Sequence, residues 1–433
     1  MLNAFPAWRE GVAPGQTRGA AGTLLLGEVP ADRLAQTYGT PLLVINLAVV
    51  DDAIDALTGR ERPPGLELSY AAKAFANVAF FQHLARRDIG IDVCSLGEIV
   101  TAERAGIDAK RLTLHGAGKT ADELQAASDG RVGTIAVDGL EELERLAALA
   151  RDGRCAAVLL RLNVGIEAHT HAFVRTGGDD TKFGIHPRDE SAALALLQSN
   201  PQLRFAGLHA HIGSQIFQVE PYLANITALL DVATRFAASG LPTPRIVIGG
   251  GFGVPTHPDA TNDALELTAT VRALAERVAA GAGERGLPVP QLGIEPGRAV
   301  IALAGTTLYR VLAVKRQSRR TFVVVDGGVA ENPRPALYGA QHHVLAARAR
   351  SDEDERMTLC GRSCENDELG EVRLPRDLKS GDLLAMCATG AYTYSMAGNY
   401  NRFPRPAVVG VAAGSHRLLA RRESLDDVLR NDA

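Results

Sequence analysis

Few side chains in this sequence can attack a carbonyl as an amine. Arginine supplies most of the positive charge, and the lysines are only Lys73, Lys110, Lys119, Lys182, Lys315 and Lys379. Lys73 closes the apolar run in Ser69-Tyr70-Ala71-Ala72-Lys73-Ala74, where a strand would deliver its amine to a rim. Burial there would disfavour the ammonium form and free a nucleophile for imine formation. Taken alone, the segment suits a surface lysine equally well. A second cluster, Gly249-Gly250-Gly251-Phe252-Gly253, follows the apolar Arg245 to Ile248, and glycines let backbone N–H groups approach a phosphate closely. It is no dinucleotide fingerprint, because the GxGxxG spacing and the downstream acid are missing; a plain turn is the alternative. Glu295, in Ile294-Glu295-Pro296-Gly297-Arg298, sets a carboxylate beside a cation. Against a pyridine nitrogen such an acid keeps the ring protonated and a strong electron sink; against its neighbour it is an ordinary ion pair. His211 and Ser214, in His209-Ala210-His211-Ile212-Gly213-Ser214-Gln215, could stack on a flat cofactor and bond its phosphate, or could be structural.

The elements that must position these residues are short apolar runs between about residues 65 and 300. Leu66 to Ala72, Ile89 to Cys94, Arg111 to His115, Thr134 to Val137, Ala157 to Asn163, Phe205 to His211, Arg245 to Gly249 and Leu292 to Glu295 make eight, separated by stretches of helical pattern. Strands alternating with helices pair in parallel, and eight such units predict a closed (β/α)8 barrel, with a doubly wound open sheet as the competitor. Polar or glycine residues end nearly every run: Lys73, Asp92 with Ser95, His115, Asp138, Asn163, His209 with His211, the glycine turn and Glu295. In a barrel that face carries the chemistry. After about residue 303 the runs are β-type without long helices between them: Leu308 to Val314, Thr321 to Asp326, His342 to Ala347, Met357 to Cys360, Leu383 to Ala388 and Ala407 to Val411. They predict a C-terminal antiparallel β-domain. The expected division is an N-terminal segment, 1–42, with the helix-like Ala31 to Tyr38 packing on the β-domain; a cofactor-binding barrel, 43–302; and the β-domain, 303–433.

Length and composition agree with an α/β protein of this size, since 433 residues with 46% hydrophobic and 22% charged side chains can bury two cores. A formal charge of −4 leaves no footprint for nucleic acid. No apolar run nears the roughly 18 residues of a membrane span, and the first thirty residues do not read as a signal peptide. The cysteines, Cys94, Cys155, Cys360, Cys364 and Cys387, are odd in number and lack CxxC spacing, so neither a disulfide frame nor a metal site is expected and a reducing cytoplasm fits. A small-molecule partner is expected.

In order along the chain, several segments form one pattern. They are Tyr70-Ala71-Ala72-Lys73-Ala74, Asp92-Val93-Cys94-Ser95-Leu96-Gly97-Glu98, His169-Thr170-His171 with Thr181-Lys182-Phe183-Gly184-Ile185, and His211-Ile212-Gly213-Ser214-Gln215-Ile216. The Gly249-Gly250-Gly251 turn, Glu295-Pro296-Gly297-Arg298, Arg334-Pro335-Ala336-Leu337-Tyr338, Cys364-Glu365, and Gly390-Ala391-Tyr392 with Ser395-Met396-Ala397 follow. Over about Leu34 to Pro406 the chain resembles the fold-type III decarboxylases that use pyridoxal 5'-phosphate (PLP), the ornithine, diaminopimelate and arginine group, and most closely the diaminopimelate type.

The resemblance implies a role for each position. Lys73 would hold PLP as an imine, His211 would stack on the ring and Glu295 would hold the pyridinium, with Asp92 and His115 also at the cofactor. Ser214, Gly249, Gly250, Gly251 and Tyr392 would hold the phosphate. Arg298, Arg334, Tyr338 and Tyr392 would bind substrate, its carboxylate falling to Arg298, Arg334 and Tyr338, and Glu365 would take the far ammonium. Cys364 would reach into the partner's site in a homodimer, and Cys364 or Lys73 would protonate Cα. The implied reaction turns meso-2,6-diaminopimelate into L-lysine and CO2, the last step of lysine biosynthesis. The pattern departs at Ala388-Thr389, Arg362-Ser363, Gly398 and Gly116-Ala117-Gly118-Lys119, which bears on the shape of the substrate pocket and removes no catalytic residue. Three rivals remain. An alanine racemase would set arginine, not Glu295, at the pyridine nitrogen. Decarboxylases of ornithine, lysine or arginine would leave Arg298 and Arg334 without a purpose. A non-catalytic PLP-binding relative would not need Lys73, Cys364 and Glu365 together.

Overall fold

Eight parallel strands close on themselves in the computed structural model, which describes residues 8, 11–59, 62–150, 155–166, 181–263, 265–350 and 353–433. The strands are Leu66–Ala71, Gly90–Val93, Leu112–Leu114, Thr134–Val137, Ala157–Arg161, Phe205–His209, Arg245–Val247 and Gln291–Ile294. The eighth pairs back onto the first, Leu292 opposite Leu66, so no open edge remains and the doubly wound alternative falls. Thr134–Val137 and Ala157–Arg161 are buried along their whole length, as strands covered on both faces must be.

Local chemistry starts the helices between them. Ser95 accepts a hydrogen bond from Glu98 N and so caps the helix Leu96–Arg104. Thr120 and Glu123 form a reciprocal capping box ahead of Ala121–Ser128. In Glu220–Ala238 the buried Tyr222, Ile226, Leu229, Ala233 and Phe236 recur at three- and four-residue spacing, the stripe a helix presents to a barrel wall. Within the barrel a cavity of about 380 Å³ is lined by polar groups including Ser69, Asp92, Thr113, Thr134 and Glu295. The barrel unit comprises the described residues within Asp55–Gly253 and Leu265–Gly297.

The second unit draws on three stretches, within Met1–Ile54, Val254–Ala264 and Arg298–Ala433. Its main sheet runs in the order Glu368–Pro375, Asp354–Cys360, Thr321–Val325, Gly305–Arg316, Leu42–Asn46, Ala407–Ala412, Ser415–Ala420, with Leu383–Cys387 and Val344–Ala346 branching from Gly305–Arg316. The sheet is mostly antiparallel. Two pairs are parallel, Thr321–Val325 with Asp354–Cys360 and Leu42–Asn46 with Ala407–Ala412. Leu42–Asn46 is a departure from the sequence reading, which put residues from 43 onward in the barrel. Its five residues are all buried, and such a run looks the same from sequence in either unit. The core of this unit gathers Tyr309, Val311, Val323, Val325, Met357, Leu359, Leu384 and Met386, each aliphatic contributing about 1.5–3 kcal/mol by burial. Among the described residues no helix is long and apolar enough to cross a membrane.

Candidate active site

At the C-terminal ends of the first, second, third, sixth and eighth strands a chain of interlocked polar side chains forms. Ser69 Oγ donates to Asp92 Oδ1 at 2.6 Å. His115 Nε2 lies 3.6 Å from Asp92 Oδ1 and 3.3 Å from Glu295 Oε1, ion-pair distances. The other carboxylate oxygen of Glu295 is 2.9 Å from His209 Nε2. Burial opposes charge on Glu295, but the two imidazoles outweigh it and hold its pKa well below the ordinary carboxylate range. His209 is itself pushed down by burial, so it acts as a hydrogen-bond donor, and the charged partner is His115. Burial alone would lower His115; Glu295 and Asp92 together push it up to about 9. Asp92 is raised, first by burial and then by the negative charge of Glu295. The arrangement therefore keeps one carboxylate, Glu295, ionised at the base of the site.

Above this floor, Lys73 sits in the turn Ala72–Ala74 after the first strand. Its neighbours Ala72 and Ala74 are buried, but Lys73 itself is exposed at the rim. The expectation of a buried amine is thus not met, because the short turn carries the side chain clear of the strand. Its charge helps to hold His211 well below the ordinary histidine value, behind the larger effect of burial. The turn Gly249-Gly250-Gly251 lies against the same imidazole. A Cβ on Gly249 would fall 2.3 Å from His211 Nδ1, one on Gly250 2.1 Å from the Glu295 carbonyl oxygen, and one on Gly251 2.0 Å from that of Gly213. Gly249 and Gly251 also have φ of +73° and +88°, which side chains disfavour. Among the described residues no acceptor engages the N–H groups of these three glycines. Ser214 follows His211, half-buried.

These features fit PLP: an ionised acid for a pyridinium, a neutral imidazole for the ring, unengaged N–H donors where only glycine fits for a phosphate, and an accessible amine for the aldehyde. The donor atoms of His115, His209 and Glu295 also lie within 4.8 Å of one another, a spacing a metal ion could use, although His209 and Glu295 are already hydrogen-bonded to each other. Lys119, another lysine near this end of the barrel, is spoken for. Its buried Nζ reaches the carbonyls of Gly116 and Ala136 at 3.0 and 2.6 Å and Glu142 at 2.7 Å.

The second unit contains a different group. Arg298 and Arg334 are both 7% exposed, their guanidinium carbons 4.8 and 6.0 Å from the Tyr392 ring centre. Arg334 Nη1 donates to the Ala391 carbonyl at 3.2 Å, while Arg334 Nε and Arg298 Nε and Nη1 have no partner among the described residues. Among the described residues, no carboxylate is one of the groups acting on either. Burial first and Arg298 second push Arg334 down to about 10. Tyr338 ends the helix Arg334–Tyr338 and acts electrostatically on both arginines. Cys364 and Glu365 are exposed on a loop, with Glu365 Oε1 accepting from Tyr400 Oη at 2.8 Å. No contact joins them to Arg298, Arg334 or Tyr392 among the described residues.

The structure thus interlocks Asp92, His115 and Glu295, packs the glycine turn against His211, and gathers Arg298, Arg334, Tyr338 and Tyr392 in the other unit. Asp138 and Asn163 end their strands as expected, but Asp138 serves Arg161, 3.2 Å away. The segment His169-Thr170-His171 lies outside the described residues. Sequence reasoning missed Arg161, a buried cation at the end of the fifth strand that stacks on Phe183 at 4.5 Å and acts on Glu295 and His209. A charge closing the run Val158-Leu159-Leu160-Arg161 was the available signal. It also missed His342, whose Nδ1 lies 3.0 Å from the Cys387 carbonyl and which burial, then Arg334, pushes down to about 3.

A (β/α)8 barrel with an ionised acid beneath a lysine, a histidine and a glycine turn defines the barrel class of PLP enzymes. A family profile described as the pyridoxal binding domain of pyridoxal-dependent decarboxylases matches residues 57–302. A diaminopimelate decarboxylase of Actinosynnema pretiosum subsp. auranticum is 42% identical over 431 residues, 99% of this chain and 96% of its own length. One from Bacillus subtilis is 38% identical, covering 95% of each chain. Among solved structures, a diaminopimelate decarboxylase from M. jannaschii in complex with L-lysine superposes with a TM-score of 0.89 at 27% identity, covering 96% of this chain and 97% of that one. The chain belongs to the pyridoxal-dependent decarboxylases, in the diaminopimelate decarboxylase family.

Proposed function

We propose that the protein decarboxylates meso-2,6-diaminopimelate to L-lysine, with PLP held at Lys73. The observation that carries the choice of substrate is the pair Arg298 and Arg334: two buried guanidiniums with N–H groups unengaged and, among the described residues, no acid to neutralise them. Unpaired buried charge is expensive, and a substrate bearing a second carboxylate relieves it where ornithine, lysine or arginine would not.

When bound, PLP supplies the electron sink that lets the bond between Cα and its carboxylate break. The rest falls to the chain. Lys73 would hold the aldehyde carbon, Glu295 would keep a proton on the pyridine nitrogen, and His115 would keep Glu295 anionic. His211, neutral and half-buried, would lie on the ring face without competing for charge. Gly249, Gly250, Gly251, Ser214 and Tyr392 would hold the phosphate, and Asp92 would brace His115. Arg298 and Arg334, with Tyr338, would fix the substrate's far carboxylate, Glu365 its far ammonium, and Cys364 or Lys73 would return a proton to Cα.

Cys364 and Glu365 are exposed in the chain, which supports a homodimer in which each loop completes the partner's site. The five cysteines, all unpaired, support a reducing cytoplasm. The test of substrate is CO2 release by purified protein with PLP from meso-diaminopimelate, ornithine, lysine and arginine. Release from diaminopimelate is expected; release from ornithine, lysine or arginine but not diaminopimelate would overturn the assignment. For the shared site, mixing Lys73→Ala and Cys364→Ala chains should restore activity, because one heterodimer site keeps both residues, and no recovery after proven subunit exchange counts against it.

A further inference from the structure

We propose that Asp367 and Glu331 form a two-carboxylate clamp that positions the loop bearing Cys364 and Glu365, which makes them positioning residues for the reaction. The inference rests on the reading above that this loop serves the active site. The loop joins the antiparallel strands Asp354–Cys360 and Glu368–Pro375. Gly361 N donates to the Asp367 carbonyl at 2.9 Å and closes it, and Arg362 N reaches the Gly327 carbonyl at 3.3 Å. The Asp367 carboxylate then ties the loop to a neighbouring turn. Oδ1 accepts from Val329 N at 2.6 Å, and Oδ2 accepts from Ser363 N, next to Cys364, at 3.2 Å. Glu331 holds the turn from the other side, its two oxygens 2.7 and 2.9 Å from Gly328 N and Oε1 accepting from Tyr309 Oη at 2.9 Å.

The space around both acids is cut to fit a carboxylate. A Cβ on Gly361 would lie 2.2 Å from Asp367 Oδ2, one on Gly328 2.4 Å from the same oxygen, and one on Gly327 2.4 Å from Glu331 Oε1. Each acid is 6% exposed, and no cation pairs with either among the described residues. Asp367 also has a φ of +47°, a conformation that side chains adopt reluctantly. A hairpin needs none of this, because an apolar filling avoids the desolvation of two acids. What the clamp does provide is a fixed origin three residues from Cys364. The loop is also fastened by the Arg362 guanidinium 4.2 Å from the Phe403 ring centre, the Tyr400 hydroxyl on Glu365 and Glu365 N on Ser363 Oγ.

The test compares Asp367→Ala, Asp367→Asn, Glu331→Gln and, as a reference, Cys364→Ala, all as holoenzymes checked for melting temperature. For each variant kcat and KM are separated, PLP affinity is measured, and alkylation of Cys364 by iodoacetamide is followed on its own peptide. Asp367→Ala should lose about ten- to a hundred-fold in kcat, the loss of one or two hydrogen bonds to a charged group. PLP affinity should not change and Cys364 should be alkylated faster, with Asp367→Asn falling between it and the wild type. Should Asp367→Ala fail to fold, Asp367→Asn and Glu331→Gln decide by the same readouts. Undiminished kcat or unaltered alkylation in the folded variants overturns the clamp, provided Cys364→Ala is impaired. Full turnover by Cys364→Ala would instead overturn the role given to the loop, and the clamp with it.

Discussion

Arg334→Met removes a guanidinium that the fold keeps charged at a cost. With its pKa pushed down to about 10 from 12.5, charge on this side chain opposes folding by on the order of 3 kcal/mol. The sign follows from linkage: a base with a depressed folded pKa is penalised wherever it is protonated in both states, hence throughout neutral pH, and the penalty lifts only above about pH 10. Methionine retains most of the volume, and the chief loss is the hydrogen bond to the Ala391 carbonyl, about 1.5–3 kcal/mol for a charged donor. The two terms nearly cancel, so thermal stability should hold or rise slightly. Catalysis should not, because a charge-assisted contact to a substrate carboxylate is worth about 1.5–3 kcal/mol, or roughly ten- to 150-fold in kcat/KM. PLP binding should be unchanged, since Lys73, Glu295 and the glycine turn lie on the barrel. The measurements are diaminopimelate turnover, cofactor absorbance, native mass and melting temperature on one preparation. A stable variant with undiminished kcat/KM would remove the diacid argument and reopen ornithine, lysine and arginine as substrates. A variant that melts early or dissociates would show instead that Arg334 is a structural brace.

Borohydride reduction of the protein with PLP should fix the cofactor on the Lys73 peptide; mass spectrometry that found it on Lys182 would refute the assignment. Gly250→Ala sets a Cβ 2.1 Å from the Glu295 carbonyl oxygen, so the turn must move, and loss of one phosphate contact should weaken PLP binding about ten-fold or more in a fluorescence titration. Glu331 is pushed up by burial to about 7 from 4.5. An acid with a raised folded pKa favours the native state fully below about pH 4.5 and loses that advantage as pH rises through 7, here on the order of 3 kcal/mol. Urea unfolding at pH 5 and pH 8 should therefore show a decline that Glu331→Gln lacks, and equal declines would contradict it.

The barrel was legible because its signal is local. Each apolar run ends in a polar residue or glycine, and strand termini set Lys73, Asp92, His115 and Glu295 on one rim whatever the loops do. What held Glu295 was not legible. Its sequence neighbour is Arg298, yet its partners are His209 and His115, from strands 86 and 180 residues earlier, brought across the barrel only by closure. Residues 43–46 of the strand Leu42–Asn46 read as barrel, although they belong to the second unit, because a fully buried strand carries no mark of which sheet it joins. Glu368–Pro375 and Ser415–Ala420 do not read as strands because Glu368, Glu371 and Arg373 interrupt the first and Ser415-His416-Arg417 open the second, polar residues that suit strands at the ends of the sheet order. The exposure of Lys73 depended on a single turn of 3-10 helix that no residue type announces.

The pairing of Leu42–Asn46 with Gly305–Arg316 and Ala407–Ala412 sets an order of events during synthesis. This apolar strand leaves the ribosome before any barrel strand, and its two neighbours follow more than 250 residues later. Until then its backbone hydrogen bonds have no native acceptor, and loop closure over that span is slow. The barrel can close in the meantime, since all its strands lie between the strand and its partners. Nascent chains halted after residue 316 but before residue 407 would carry a predominantly apolar strand with one edge still unpaired, the kind of segment that chaperones hold and that aggregates when they do not.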